Sequence, residues 1–412
     1  MKKYKIPTAI ILTIALIIGL ITILTTTATQ HDFTVNTADA TIVGFGGKQW
    51  SVIGHDGEGV ASEEGTLTLL LANGQSYGTS AFRTGQSSNP GNGTMKQSTA
   101  VYDNWWYANN PSDITNWNVP REYLGSTLQQ RLEAIADELK TSSPKEESLI
   151  IPRNLPGGGG NQHLTNVAGP AVENARLWAL SSGEAQNVND TLRGFSTWWR
   201  LRSPGDVSSR TANVDRNSRV NIRGDNASIN NGDGGVRPAL QLNLQSVLFT
   251  SDNATTGGKS ATTIDGNFVE LTTSNNIKFT MSDNSLELAS VKPTNRVGNV
   301  ITFDYSGATP GKTLAAVVMR DGEVAHYAKL VDNTDENGDD VELTLPGDYN
   351  SATDTVQIFV EEANGVNETD FASAFVRLCD YEVHDYDEQT DLTKAVYCKI
   401  CSFEVFPEKP PI

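Results

Sequence analysis

No cysteine occurs in this chain before Cys379, yet its first residues are those of an exported protein. Met1-Lys2-Lys3-Tyr4-Lys5 leads into a mostly apolar run from Ile6 to Leu24, the basic start and apolar core of an export leader. Exported domains commonly lean on disulfides. Without them, the chain up to residue 378 must be held by its hydrophobic cores. The apolar run also approaches the roughly 20 residues that span a bilayer. Cleavage after Ala28 or Ala40 (Ala38-Asp39-Ala40 fits the small-residue pattern) and retention as an anchor are therefore both open. The expected location is secreted or extracellular, with membrane contact only through this N-terminal segment.

Composition divides the remainder. All seven Trp precede residue 200, and residues 251–412 hold 28 acidic against 11 basic side chains, a net of −17 in a chain of −18. Ser251-Asp-Asn-Ala-Thr-Thr-Gly-Gly-Lys-Ser260 lies at that change and has the small polar character of a linker. The expected organisation is a leader or anchor over 1–28, a Trp-rich domain over 41–250, a linker over 251–264, a β-sandwich over 265–378 and a tail over 379–412. The acidic balance favours solubility and argues against a nucleic-acid partner.

Within 41–250 the pattern predicts a strand pair around Gly46-Gly47 and a strand over Leu67–Leu71. Ser126-Thr-Leu-Gln129 is a capping box opening a helix whose Leu128, Leu132, Ile135 and Leu139 share one face. A second helix is expected over Ala171–Leu180, and strands over Thr197–Arg202 and Val236–Leu242. The class is α+β. Two short apolar-aromatic elements, Trp198-Trp199-Arg200-Leu201-Arg202 and Gly235-Val236-Arg237-Pro238-Ala239-Leu240, bracket a long polar excursion. Residues 193–237 carry eight Arg and four Asp with no Lys or Glu. Arg suits bidentate recognition and stacking, so this stretch reads as a ligand-binding surface, with a solvated loop region as the alternative. Arg202, Arg210, Arg216, Arg219 and Arg223 are the expected ligand contacts, and Arg237 is expected to pack or pair inside the fold. Most Trp belong in the core; Trp105 and Trp106, flanked by Asp103-Asn104 and Asn109-Asn110, are expected to be exposed for ligand stacking.

Other chemistry is sparse. His55 and His163 have no nucleophile motif beside them. Glu63-Glu64 and Glu146-Glu147 are adjacent rather than opposed carboxylates and read as polar surface. Gly258-Lys259-Ser260 mimics the end of a phosphate loop, but Asn253 stands where its first Gly belongs. Arg223-Gly224-Asp225 matches an integrin-type tripeptide in a stretch rich in those same residues.

The ordered set Gly47-Lys48-Gln49-Trp50, Ser126-Thr-Leu-Gln-Gln130, Leu149-Ile-Ile-Pro-Arg153, Leu177-Trp178-x-Leu180-Ser181, Trp198-Trp199-x-Leu201-Arg202-Ser-Pro-Gly205 and Gly235–Leu240 resembles an uncharacterised domain family of exported Gram-positive bacterial proteins. It resembles, more distantly, the C-type-lectin-like fold shared by formylglycine-generating enzymes and variable receptor proteins. The near resemblance covers about 200 residues; the distant one, carried mainly by the late Trp strand, the polar excursion and the Gly-x-Arg strand, implies a lectin-like scaffold with ligand contacts on its late loops, residues 203–234. The calcium-binding tripeptides of animal lectins and the cysteine pair of formylglycine-generating enzymes are both missing from these residues. The resemblance therefore implies the scaffold and neither chemistry.

In the acidic half, apolar runs at Asn299–Tyr305, Leu314–Met319, Glu323–Leu330, Val341–Leu345, Thr355–Val360 and Ala372–Leu378 recur with turn signals between them. This spacing predicts an immunoglobulin-like sandwich. Asn333, Asp335, Asn337 and Gly338 have calcium-loop spacing, but Thr344 replaces the bidentate Glu, so calcium stays open and a solvated acidic hairpin is the better reading. In the tail, Cys379, His384, Cys398 and Cys401 form a set suited to a structural zinc ion, with a disulfide as the alternative. The expected whole is a non-catalytic surface protein, adhesin- or receptor-like, binding an extracellular glycan or protein. The alternatives are a structural or assembly module of the cell surface, and an enzyme acting on cell wall or glycan.

Overall fold

The computed structural model describes residues 41–80, 123–157, 171–205, 210–226, 234–254, 259, 262–271, 274–379, 396–397 and 404–406. The chain is largely β-sheet with few helices. β1 (Ile42–Phe45) turns at Gly46 and Gly47, with φ of 59° and 70°, into β2 (Lys48–His55). Positive φ is the reason for glycine at both positions. After the short β3 (Glu58–Gly59) comes β4 (Thr66–Leu71), buried along its whole length as a central strand should be.

α1 (Thr127–Ser142) starts as its cap predicts: the Ser126 hydroxyl accepts from the Gln129 amide at 3.1 Å, and Leu128, Leu132, Ile135 and Leu139 are buried. The Gln129 side chain accepts from the Gly125 amide rather than that of Ser126, so only half of the expected capping box closes. α2 (Pro144–Glu147) follows. β5 (Arg153–Leu155) pairs with β6 (Val172–Ala175), where a helix was expected. Asn174 sits at φ 54°, which a helix does not admit. The helix begins later, at a true capping box: Ser181 Oγ accepts from the Glu184 amide, and the Glu184 carboxylate accepts from the Ser181 amide. α3 (Ser182–Asn187) and α4 (Asp190–Arg193) are short and lead into a separate antiparallel sheet of β7 (Trp199–Pro204), β8 (Arg210–Val214) and β9 (Val220–Asn226).

β10 (Ala239–Asn243) returns to the main sheet beside β4, and β11 (Val247–Asp252) pairs antiparallel with a later strand. After β12 (Val269–Glu270), that strand, β13 (Asn276–Ser282), joins the two halves of the chain. β1 lies parallel to its start and β20 (Asp370–Ala372) parallel to its end. The acidic half adds β14 (Ser290–Val297), β15 (Val300–Ser306), β16 (Thr313–Arg320), β17 (Glu323–Val331), β18 (Asn337–Thr344) and β19 (Asp354–Glu362). The β14–β15–β18 sheet packs Ile301, Phe303 and Leu343 onto Leu314, Ala316, Val318 and Ile358 of the main sheet. The opposite face of β16, β17 and β19 carries a second apolar cluster with Phe249, Val317, Tyr327 and Phe359. Asp321-Gly322, at φ 52° and 89°, turns β16 into β17 as the Asp-Gly signal predicts. β21 (Val376–Leu378) pairs with β19, and β22 (Val396–Tyr397) with β23 (Glu404–Phe406).

The expected boundary is displaced. Ser251 and Asp252, placed at the start of a linker, are strand residues paired with Lys278 and Ile277, and Lys259 is buried. Ile277, Phe279, Met281 and Phe371 belong to the same core as the Trp-rich half. Ser251 and Asp252 mimic a linker because the strand they pair with, β13, comes from a later stretch of the chain. Residues 41–250 are consequently not closed without β13.

Candidate functional site

The arginine-rich stretch separates into two populations. Arg193, Arg200, Arg202 and Arg237 are buried, whereas Arg210, Arg216, Arg219 and Arg223 are exposed. Arg202 was expected to touch ligand; instead it is 4% exposed and clamps Glu184, with Nη2 donating to Oε1 at 3.1 Å and Nη1 also pairing with the carboxylate. Glu184 further accepts from Arg153 at 3.0 Å, and Arg153 lies over the Trp178 ring. β7 is buried along its whole length, so each side chain it contributes must find an internal partner.

Burial alone would raise the Glu184 carboxyl, but the charge and hydrogen bonds of Arg202, with the Ser181 amide and Arg153, bring it down to about 2 from an ordinary 4.5. Because the folded-state value is depressed, folding favours the ionised form. The stabilisation is fully present above about pH 4.5 and is lost as pH falls toward 2, amounting to about 3 kcal/mol. Acid titration of unfolding should show this loss in the native chain, and Glu184→Gln should flatten it.

The other buried cations fix the base of the sheet. Arg193 donates from Nε to the Ser218 carbonyl at 2.6 Å and from Nη1 to the carbonyls of Ala185 and Val188 at 3.0 and 3.2 Å, tying the β8–β9 turn to α3. Arg200 donates to the Ser80 carbonyl and to the Thr211 hydroxyl and lies 4.8 Å from the Trp198 ring centre; burial lowers it to about 10, against the pull of Asp225. Trp178 and Trp199 are fully buried core, and Trp198 is half-buried.

On this base the β8–β9 hairpin presents Arg216 and Arg219 at its turn and Arg223 on the outer strand. The turn is pre-set by Asp215, whose carboxylate accepts from the amides of Asn217 and Arg219 at 2.8 and 2.9 Å. Arg216, Arg219 and Arg223 make no side-chain hydrogen bond or ion pair among the described residues. Arg210 is exposed at the other end of β8 and has partners of its own. Gly224 has φ 76°, and a Cβ there would lie 2.2 Å from the Thr211 carbonyl oxygen. A close strand crossing therefore accounts for the glycine in Arg223-Gly224-Asp225.

Trp105, Trp106, His163, His384, Cys398 and Cys401 lie outside the described residues; Cys379 is buried at the end of β21. Asn337 and Gly338, read as calcium-loop positions, are part of β18 and pair with Ser306 and Tyr305. A Cβ at Gly338 would meet the Tyr305 ring at 2.3 Å, so packing demands this glycine. Glu146, read as polar surface, is instead buried and accepts from the amides of Gly46 and Thr369 at 3.0 and 2.7 Å. Its adjacent Lys145 pairs with Asp283 and Glu362, so the cleft between α2 and the β19–β20 connection is a joint between the two halves.

The separation of the arginines has a sequence signal that charge counting passes over. The buried ones mostly stand among apolar neighbours (Trp-Arg-Leu-Arg, Val-Arg-Pro), whereas each exposed one has at least one small or polar neighbour (Ser209, Asp215, Asn217, Ser218, Gly224). Among the described residues no helix is long and apolar enough to cross a membrane. Comparisons with protein-family models, with curated proteins and with solved structures found no match.

Proposed function

We propose that this chain is a non-catalytic, extracellular ligand-binding protein, secreted or held by its N-terminal segment, that takes a glycan or protein on the β8–β9 face. The observation that carries this reading is the set of Arg216, Arg219 and Arg223, exposed and without a side-chain partner among the described residues, on a hairpin whose base is locked by buried Arg193 and Arg202. Presenting free guanidinium groups on a rigid strand pair reduces the ordering cost of binding. In this reading the N-terminal half is a lectin-like scaffold and the acidic half an immunoglobulin-like support, a view favoured by the packing of β14–β15–β18 on the main sheet.

Because the halves share a core, the test uses the whole exported chain. It is screened on glycan and surface-protein arrays with and without calcium. The triple variant Arg216→Ala, Arg219→Ala, Arg223→Ala is expected to lose binding by roughly 30-fold or more, equivalent to about 2 kcal/mol. Its stability should stay within about 0.5 kcal/mol of the parent at each position. Unchanged affinity for a specific hit excludes this face. Self-association in sedimentation with no array hit favours the assembly reading.

A further inference from the structure

The Lys259 side chain is enclosed in the apolar cluster between the two halves. Its Nζ lies 5.1 Å from the ring centres of both Phe249 and Tyr327. It touches a Glu361 carboxylate oxygen, reaches Asp370 Oδ2 at 2.8 Å and donates to the Thr280 hydroxyl at 3.0 Å. Side-chain exposure is 7% for Lys259, 0% for Glu361 and 2% for Asp370. The strands dictate this meeting: Thr280 of β13 is paired with Asp370 of β20, and β19 carries Glu361 beside β20.

Each oxygen of the group is separately engaged. Asp370 Oδ1 faces Lys278 Nζ at 2.7 Å and accepts from the Asn364 amide at 2.7 Å. Glu361 Oε2 accepts from the Tyr327 hydroxyl at 2.6 Å, leaving Oε1 against the Lys259 amine. An amine, a carboxyl, a proton-carrying carboxylate and two donors on the opposite carboxyl oxygen are thus assembled with bulk water excluded. That is more than charge pairing requires, and it matches what amide formation needs: contact distance, a general base, and stabilisation of the developing oxyanion. Burial disfavours all these charges, and condensation removes two of them.

We infer that Lys259 and Asp370 condense to an intramolecular isopeptide bond, with Glu361 as the catalytic proton carrier. The Lys259 ammonium passes a proton to Glu361 and its Nζ attacks Asp370 Cγ, while Lys278 and the Asn364 amide hold the charge gathering on Oδ1. The Nζ–Cγ bond forms and the Cγ–Oδ2 bond breaks. Both protons lost from nitrogen leave with Oδ2 as one water, and Glu361 ends as it began. No oxidant, metal or co-substrate enters the balance. The product closes the chain between residues 259 and 370 around the acidic sandwich, a covalent clasp in a chain with no cysteine before Cys379. This inference is independent of which ligand the arginine face takes.

The test is mass spectrometry of the purified full-length or naturally processed chain, with its N-terminus determined. The expected mass is one water below that of the sequence, and a digest should yield a branched peptide joining Lys259 to Asp370. Recovery of both segments only as linear peptides overturns the inference, as does a branch through Lys278 or a water loss located elsewhere. Glu361→Gln should leave the folded chain at full mass, and linkage at the parental rate removes Glu361 from the reaction. Should Glu361→Gln not fold, Lys259→Arg keeps the buried positive charge without a condensable amine. It should fold, show the full variant mass and melt below the parent; a branched product at Asp370 in this variant overturns the assignment to Lys259.

Discussion

Glu184→Ala is expected to destabilise the protein by about 3–5 kcal/mol, the cost of stranding one partner of a buried ion pair. Arg202 is 4% exposed and cannot turn to water when its carboxylate is removed, because its guanidinium is also fixed to the Ala179 carbonyl at 2.9 Å. The same substitution removes the reciprocal half of the α3 cap, since the carboxylate accepts from the Ser181 amide at 2.8 Å. Arg153 loses a partner as well. Glu184→Gln keeps the cap acceptor and the volume but not the charge, so its loss should be smaller. Urea unfolding of both variants measures the difference. A Glu184→Ala midpoint equal to the parent's would mean that Arg202 finds solvent, contrary to its burial. The loss in Glu184→Ala should be greatest near neutral pH and shrink as the parent is acidified below about 4.5, where Glu184 begins to be protonated on unfolding.

The fold was legible where a segment's periodicity settles its own environment. α1 follows from four apolar residues on one face behind a Ser126 cap, and β15 to β19 follow from short apolar runs punctuated by turns. It was illegible where environment is supplied from a distance. Ser251–Asp252 looks like linker because nothing local shows that β13 lies beside it. Glu146 looks like surface because its partners, the amides of Gly46 and Thr369, are 100 and 223 residues away. The same limit explains the arginines: a count of eight cations in 193–237 carries no information on which have internal acceptors. Lys259 is the extreme case. Its local sequence shows only an incomplete phosphate-loop pattern, while Glu361 and Asp370, which give it meaning, lie 102 and 111 residues away.

Arg237→Met is expected to cost about 3–5 kcal/mol, although it removes a charge from the interior. Among the described residues the guanidinium has no carboxylate partner; it donates from Nε to the Leu71 carbonyl at 2.8 Å, from Nη1 to that of Arg193 at 2.8 Å and from Nη2 to that of Leu192 at 2.7 Å. Phe195 and Trp199 cover it at 4.8 and 5.0 Å. Burial lowers its pKa to about 9, so it remains a cation at neutral pH. Leu192 and Arg193 are the last residues of α4 and Leu71 the last of β4, so one planar group satisfies carbonyls at the ends of two elements. Methionine fills the space but strips the Arg237 donor from three buried carbonyls, of which, among the described residues, only that of Arg193 keeps another, the Trp199 indole N–H at 3.4 Å. Lysine keeps the charge yet brings its donors to a single nitrogen, which cannot serve three carbonyls arranged around a plane. The expected order of urea midpoints is parent, then Arg237→Lys, then Arg237→Met. A methionine variant at least as stable as the lysine one would show that desolvating the cation outweighs its hydrogen bonds, reversing the account of why an arginine stands at this position.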